Sequence, residues 1–473
     1  MSNEKGCDNG ICFTSPEDAI KAPRERVLII NCVNTAEERK PDALITVDVD
    51  PGSQSYGKIL CKLDMPNVGD ELHHSGWNAC AGCRDDDSAR RSHLVLPCLH
   101  SSRVYIIDTR DPQALKIHKI IEPKEFEKLN ATAFHTPHCT PEGEVVIGAL
   151  GDNDGNNKGD LIVLDSKTFE VKGNWPSTGM LPKFHYDFWY QPRHNVLLSS
   201  EWAAPKTFKN GFSMMDVLQG KYGKNIHLWD YNRRQIMQTL ELDNVTGQLP
   251  FEVRFKHNPD EPHAFIGTAL GSSLIHVYKD NFQDPWKHEV SITIPPKVVA
   301  SWTLPTLPAM ITDILISMDD KYLYASCWFF GEVRQYNIED PYNIKLTGRI
   351  STGGMISKDY GLAVLYDPEG HDTVPQLEIK GVKFQGGPQM IQLSLDGRRL
   401  YITNSLYSVW DKQFYPDMSK KGGQLIKADI DIEHGGMKID PKFIVDFGSL
   451  EDGPYGPHDM RYPGGDCTSD IFV

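Results

Sequence analysis

The chain has no apolar run long enough to cross a bilayer. Stretches such as Val145 to Leu150 (VVIGAL) fall far short of the roughly 20 residues a spanning helix needs. It also lacks a basic excess: 49 Lys and Arg face 64 Asp and Glu, a formal net charge of -15 at pH 7. Nucleic acid and anionic lipid both call for basic surface, so neither is expected as a partner. The opening MSNEKGCDNG lacks the basic-then-apolar pattern of a secretory signal, which predicts a cytosolic chain. The sequons Asn130-Ala-Thr and Asn244-Val-Thr are then expected to stay unmodified. Ten cysteines in 473 residues are too sparse for a disulfide framework and are expected as free thiols, metal ligands or redox groups. No P-loop, GxGxxG, HExxH or GxSxG string occurs, which removes several common nucleotide and hydrolase sites.

What is present is a soluble composition, 40% hydrophobic and 24% charged, dominated by strand patterns. Residues 1–24 read as a tail, in which Ser15-Pro16-Glu17-Asp18 predicts a capped helix start. Residues 25–473 read as a single domain. RVLIINCV from Arg26 and DALITVDVD from Asp42 have the β-branched alternation of strands. Only PKEFEKLNA from Pro123 makes a case for another helix.

A repeat then emerges. Leu393–Asn404, Ile316–Cys327 and Tyr190–Glu201 share one order: apolar strand, tight polar turn, apolar strand. Looser copies begin at Cys139 and Lys256, and a later strand ending near Asp follows each, as in LIVLD and IHLWD. Two strands around a turn and two more is the blade of a β-propeller. The predicted fold is therefore all-β, a seven-bladed β-propeller with few short helices, closed by the C-terminal strands so that no sheet edge is left open. Loops such as 151–160 and 353–380 absorb the length beyond a minimal blade.

The first strand of each unit is marked by a polar residue: His74, His138, Asp187, Glu252, Asp313, Gln389 and His458. In a propeller these gather at one mouth of the central channel. Three histidines beside carboxylates can hold Cu, Fe, Zn or Ni, with outer carboxylates orienting the imidazoles. A polar mouth whose members merely bond to one another and to water is the competing view. On a regular strand neighbours face opposite sides, so only one of His73 and His74 is expected to point inward.

Other motifs weigh less. Cys80-Ala-Gly-Cys83 is half a zinc site or a redox pair, without a second half at finger spacing. Cys139 and Cys467 are placed to approach the mouth, or to pack as small buried residues. Asp152, Asp154 and Asn156 imitate a calcium loop, but Asn157 and Val163 stand where Gly and Glu are required, so a surface loop is expected. His194 and His257 are expected to be structural.

The strings HHSGWN, FWYQPRHN, SSEWAAP, PQMIQLSLDGRRLYITNSLYSVWDKQFYPD and RYPGGDCTSDI resemble the selenium-binding protein family, over the chain from about Pro23 to its end. Animal members of that family include methanethiol oxidases. The resemblance implies a copper-dependent enzyme of the cytosol, with the nucleus as a second location. Such an enzyme oxidises methanethiol with O2 and water to formaldehyde, hydrogen sulfide and hydrogen peroxide. Vertebrate members are also linked to selenium binding and intra-Golgi transport. The family's histidines match His73, His74, His135, His138 and His458, which are the implied copper ligands. One position departs: the selenium-associated cysteine of vertebrate members corresponds to Gly57 after Tyr56, with the nearest thiol at Cys61.

Copper suits the chemistry, since the metal must bind a soft thiolate and pass electrons to O2. Asp187, Glu252 and Asp313 form the pool for the catalytic base, and Trp77 is a candidate wall for the substrate methyl. The expected partners are a small thiol and O2, with protein partners left open. Two rivals stand beside this reading: a propeller scaffold that binds selenium or partners without turnover, and an iron-dependent oxygenase.

Overall fold

The computed structural model describes residues 13–473 apart from 87, 178 and 372. Cys7 and Cys12 lie outside the described residues. The chain is all-β, and the described residues form seven four-stranded antiparallel sheets and two smaller ones. The turn chemistry of the repeat explains the local hairpins. Ile311–Ile316 pairs with Tyr322–Cys327 across the Asp319-Asp320 turn, and Ile391–Leu393 pairs with Arg399–Ile402 across Asp396-Gly397. Gly397 sits there at φ +74, the left-handed conformation a tight turn needs.

Burial grades across each sheet. The third sheet-forming strand in a typical unit, Ser273–Tyr278, is buried except at its last residue, while the fourth, Lys287–Thr293, has no fully buried position. Apolar runs such as ITDILI and YLYASC, buried throughout, fit strands covered on both faces. The polar fourth strands, such as KHEVSIT, fit an outer edge, where charge discourages pairing with other chains. One sheet uses both ends of the chain: Tyr455–Arg461 pairs antiparallel with Val27–Asn34.

The first strands of the sheets converge. Asp187 Oδ2 accepts from Val253 N at 2.8 Å, Asp313 Oδ2 from Ile391 N at 2.8 Å, and Asp459 Oδ2 from Ser75 N at 2.9 Å. In each case a carboxylate on or just before one sheet's first strand ties down the backbone on or just before the first strand of the next. A buried N–H left unpaired is costly, so these bonds hold neighbouring sheets in register.

The described α-helices are five short ones. Pro16–Ile20 begins as its sequence predicts, with Ser15 as N-cap and the Asp18 N–H donating to Ser15 Oγ at 3.3 Å. The Pro123 segment forms two 3-10 turns, Pro123–Glu125 and Glu127–Leu129, in place of the single helix expected. Ser408–Phe414 and Pro205–Phe208 carry aromatic side chains onto one end of the convergence. No helix among the described residues is long and apolar enough to cross a membrane.

Candidate metal centre

Three segments remote in sequence deliver their histidines to one place. The ring of His73 stacks on that of His458 with centroids 4.0 Å apart, and meets His74 at 4.8 Å and His135 at 4.9 Å. His74 lies 4.4 Å from His135 and 5.2 Å from His458. Ligand nitrogens of His73, His74 and His458 all fall within 4.8 Å of one another. His138 stands beside this group, its ring against Phe188 at 5.2 Å and Trp189 at 4.9 Å.

Both adjacent histidines therefore enter the cluster, against the expectation that only one can. The alternation rule fails because residues 73–75 are not in a strand. The chain turns at Glu71, which holds φ +59. That conformation is locked from far away: the Glu71 carboxylate accepts from Ser408 N at 2.8 Å and Ser408 Oγ at 2.6 Å. Strand pairing resumes at Gly76.

Gly76 is itself a close-approach residue. A Cβ there would collide with the Pro137 carbonyl oxygen, so only glycine lets the HHSGW segment lie on the HTPHC strand. Gly76→Ala is expected to push His74 away from His135 and to destabilise the fold by about 1–3 kcal/mol, the usual cost of overpacking. Thermal unfolding and metal content, measured together, check this; unchanged values for both would remove Gly76 from the account.

The nitrogens are set for a cation. His458 Nδ1 donates to the Ser405 carbonyl at 2.7 Å. His135 and His138 hydrogen-bond the carbonyls of Tyr186 and Phe188. The Nε2 atoms of His74, His135, His138 and His458 are buried and have no hydrogen-bond partner. Backbone bonding of one ring nitrogen fixes the tautomer that offers a lone pair on the other, as metal-binding histidines do. Burial, reinforced by the neighbouring imidazoles, drives the protonation of His73 well below its ordinary range. Burial acts likewise on His74, His135 and His138, and takes His458 down to about 4. Burial thus favours the neutral, lone-pair-bearing form of all five imidazoles.

A charged wall borders the cluster on one side. Glu252 Oε1 lies 3.9 Å from His74 Nε2, and Asp459 Oδ2 lies 3.8 Å from His74 Nδ1. Arg254 bonds Asp187 at 2.9 Å and Glu252 at 2.8 Å, and approaches Asp313 at 3.6 Å. Arg461 bonds Asp459 at 2.7 Å and the Ser75 carbonyl at 2.9 Å. Four carboxylates against two guanidiniums leave a deficit of positive charge. Burial accordingly raises the Glu252 carboxyl well above its usual range and Asp313 to about 7. One oxygen each of Asp187, Glu252 and Asp313, and both side-chain atoms of Gln389, are unpartnered. A cation bound here would meet both needs, satisfying the free nitrogens and balancing the wall.

Aromatic rings also border the cluster. Tyr186 lies 4.3 Å from His135 and stacks on Phe251 at 4.3 Å, while Tyr407 sits edge-on to His73 at 6.4 Å. This, and not Trp77, is the apolar wall. Trp77 is buried in a separate core cluster and donates its indole N–H to Asp466 at 3.3 Å. Cys467 also packs in the core, away from the histidines. His257 is structural, its Nε2 on the Ile316 carbonyl at 3.1 Å. The oxygens of Asp152 are occupied by its own loop, through Asp154 N and Asn156, which matches the surface-loop reading.

Arg254, Arg461 and Asp459 escaped the sequence reading. A signal existed: Glu252-Val-Arg254 and Asp459-Met-Arg461 place the arginine two residues on, hence on the same strand face. Two other features do not compete with this centre. A cleft of about 870 Å³ lined by Phe13, Arg24, Glu25 and Arg399 has no histidine or cysteine in its lining. The Asp367, Glu369 and His371 group is already matched by Lys297 and Arg334.

The comparisons with known proteins agree with one another. Residues 7–473 match the model of the 56kDa selenium binding protein (SBP56) family. A methanethiol oxidase of Xenopus laevis is 50% identical over 464 residues, 98% of each chain. The human methanethiol oxidase is 50% identical over 472 residues, 99% of each chain. The X-ray structure of a hypothetical selenium-binding protein from Sulfolobus tokodaii superposes with a TM-score of 0.86 at 36% identity. It covers 98% of this chain and 99% of that one. A periplasmic gluconolactonase of Pseudomonas aeruginosa shares the fold alone, at TM-score 0.57 and 11% identity, covering 92% of this chain and 98% of that one.

Proposed function

The chain belongs to the selenium-binding protein family, and from that premise we propose that it is a copper-dependent methanethiol oxidase. The reaction is CH3SH + O2 + H2O → HCHO + H2S + H2O2, a two-electron oxidation at carbon matched by two-electron reduction of O2. We take the four-stranded sheets as seven blades of a propeller, closed where Tyr455–Arg461 joins Val27–Asn34, with the site where the first strands meet. The observation that carries the reading is the set of four buried, unpartnered Nε2 atoms on His74, His135, His138 and His458. The names of the 50%-identical relatives support the substrate.

His73, His74 and His458 would hold the metal, with His135 and His138 beside them. Bound copper would supply a thiophilic centre able to accept electrons from the substrate and pass them to O2. The chain's own groups do the rest. Tyr186, Phe251 and Tyr407 exclude water and take the methyl group. Of the three candidate bases, Glu252 ranks first, because its free Oε1 alone faces a candidate ligand, 3.9 Å from His74. That oxygen would receive the thiol proton. Asp187 and Asp313 act as positioning residues, each with one oxygen committed to a backbone N–H of the next sheet.

The test is direct. Protein expressed with copper and supplied with methanethiol should yield hydrogen sulfide and hydrogen peroxide in equal amounts. Yields no higher than those of the metal-free protein would overturn the proposal. Elemental analysis showing iron in place of copper would move it to an oxygenase.

A further inference from the structure

His138 and Cys139 are neighbours on one extended strand, Thr132–Thr140, so their side chains leave opposite faces. His138 serves the histidine cluster, and Cys139 looks away from it. Its sulfur meets those of Cys80 and Cys83, and the three Sγ atoms lie within 4.8 Å of one another, all buried. The CxxC pair rides on a 3-10 turn, Ala81–Cys83, with Cys80 as N-cap and the Cys83 N–H donating to the Cys80 carbonyl at 2.9 Å. That turn holds the two thiols on one side, and the third arrives from the next sheet. All three are free cysteines.

We propose that Cys80, Cys83 and Cys139 form a three-thiolate site for Cu(I), separate from the histidine centre. The donor set decides the ion. Thiolates select soft cations such as Cu(I), whereas a structural zinc site is closed by four ligands. Among the described residues no fourth histidine, cysteine or carboxylate joins the trio. The site is sealed by the C-terminal segment. A Cβ on Gly82 would come within 2.9 Å of the Ile471 carbonyl, and Gln191 Nε2 holds the Phe472 carbonyl at 3.0 Å. Tyr190 hydroxyl binds the Cys139 carbonyl and fixes the strand.

Charge favours the same assignment. Arg91 is buried beside the trio, with Nε on the Ala79 carbonyl at 3.2 Å and Nη2 on Asp470. Its Nη1 has no partner. Its guanidinium acts electrostatically on Cys83 and is in turn influenced by Cys80. Binding Cu(I) displaces thiol protons, leaving net negative charge that a fixed cation offsets.

The experiment uses the full chain carrying Cys7→Ser and Cys12→Ser, which removes the tail thiols. Reduced protein is titrated anaerobically with Cu(I) against a chromophoric Cu(I) chelator, and copper-edge X-ray absorption reads the ligand atoms. The expected result is copper–sulfur scattering in the full chain, reduced to one Cu(I) with sulfur-only scattering in His458→Ala, and a sulfur-bound occupancy at least tenfold lower in Cys139→Ser. Absence of copper–sulfur scattering in the protein without further substitution overturns the proposal whether or not Cys139→Ser folds. So does Cys139→Ser retaining the sulfur-bound ion, or Zn(II) displacing Cu(I) at equal concentration. Sulfur-bound Cu(I) without methanethiol turnover would overturn the oxidase reading and leave this one standing.

Discussion

His458→Ala is expected to lose its histidine-bound copper and at least about a hundredfold of methanethiol turnover, while keeping its fold. Substituting even a group that merely orients a ligand costs about 10–100-fold in metal affinity or activity, and a ligand itself should cost no less. His458 is the best single probe because its Nδ1 is committed to the Ser405 carbonyl, which leaves Nε2 alone to face the cluster. The residue is also stacked on His73, so its loss removes one donor and the support of another. Copper content by elemental analysis, turnover by sulfide release, and melting temperature are the three readouts. Lost activity with full copper retention would show that His458 is no ligand. Lost activity with a collapsed melting temperature would show that its role is packing.

The all-β class and the antiparallel hairpins of the four-stranded sheets were legible because their information is local. In LSLDGRRLYITN the apolar runs and the Asp-Gly turn specify a hairpin within twelve residues, and the same logic repeats along the chain. The repeat also marked a polar residue at each first strand, and of these Asp187, Glu252, Asp313, Gln389 and His458 are all buried. The centre was legible only in part, since its decisive features are non-local. Nothing near His73 announces that Glu71 will adopt a positive φ, because the group that holds it is Ser408. Nothing near Cys80 announces Cys139, whose strand neighbour His138 drew the attention to the opposite face. Arg254 and Arg461 are different. Their spacing from Glu252 and Asp459 was readable, and a search for buried counter-charges on the same face would have found them.

Arg254→Met is expected to destabilise the protein by about 3–5 kcal/mol, the cost of removing one partner from a buried ion pair and leaving the other charge uncompensated. At about 2.1 cal/mol/K per residue of unfolding entropy, this lowers the melting temperature by about 3–5 °C. The methionine fills much of the volume and can still lie against Trp189, over which the guanidinium now sits at 5.3 Å. The loss is therefore electrostatic and should depend on pH with a definite sign. Asp313 already titrates at about 7 and Glu252 well above its ordinary value because burial outweighs the attraction of Arg254. Without the guanidinium both rise further. A carboxyl whose folded pKa exceeds its unfolded value binds more protons when folded, so stability is present at low pH and drains away as pH rises through the folded pKa. The deficit of Arg254→Met relative to the parent should accordingly be larger at pH 8 than at pH 5. The double variant Arg254→Met/Glu252→Gln should recover much of it, because the two sites share one interaction and their effects cannot add. A deficit independent of pH and unrelieved in the double variant would mean that Arg254 acts through packing on Trp189, and the charge balance drawn for this wall would be wrong.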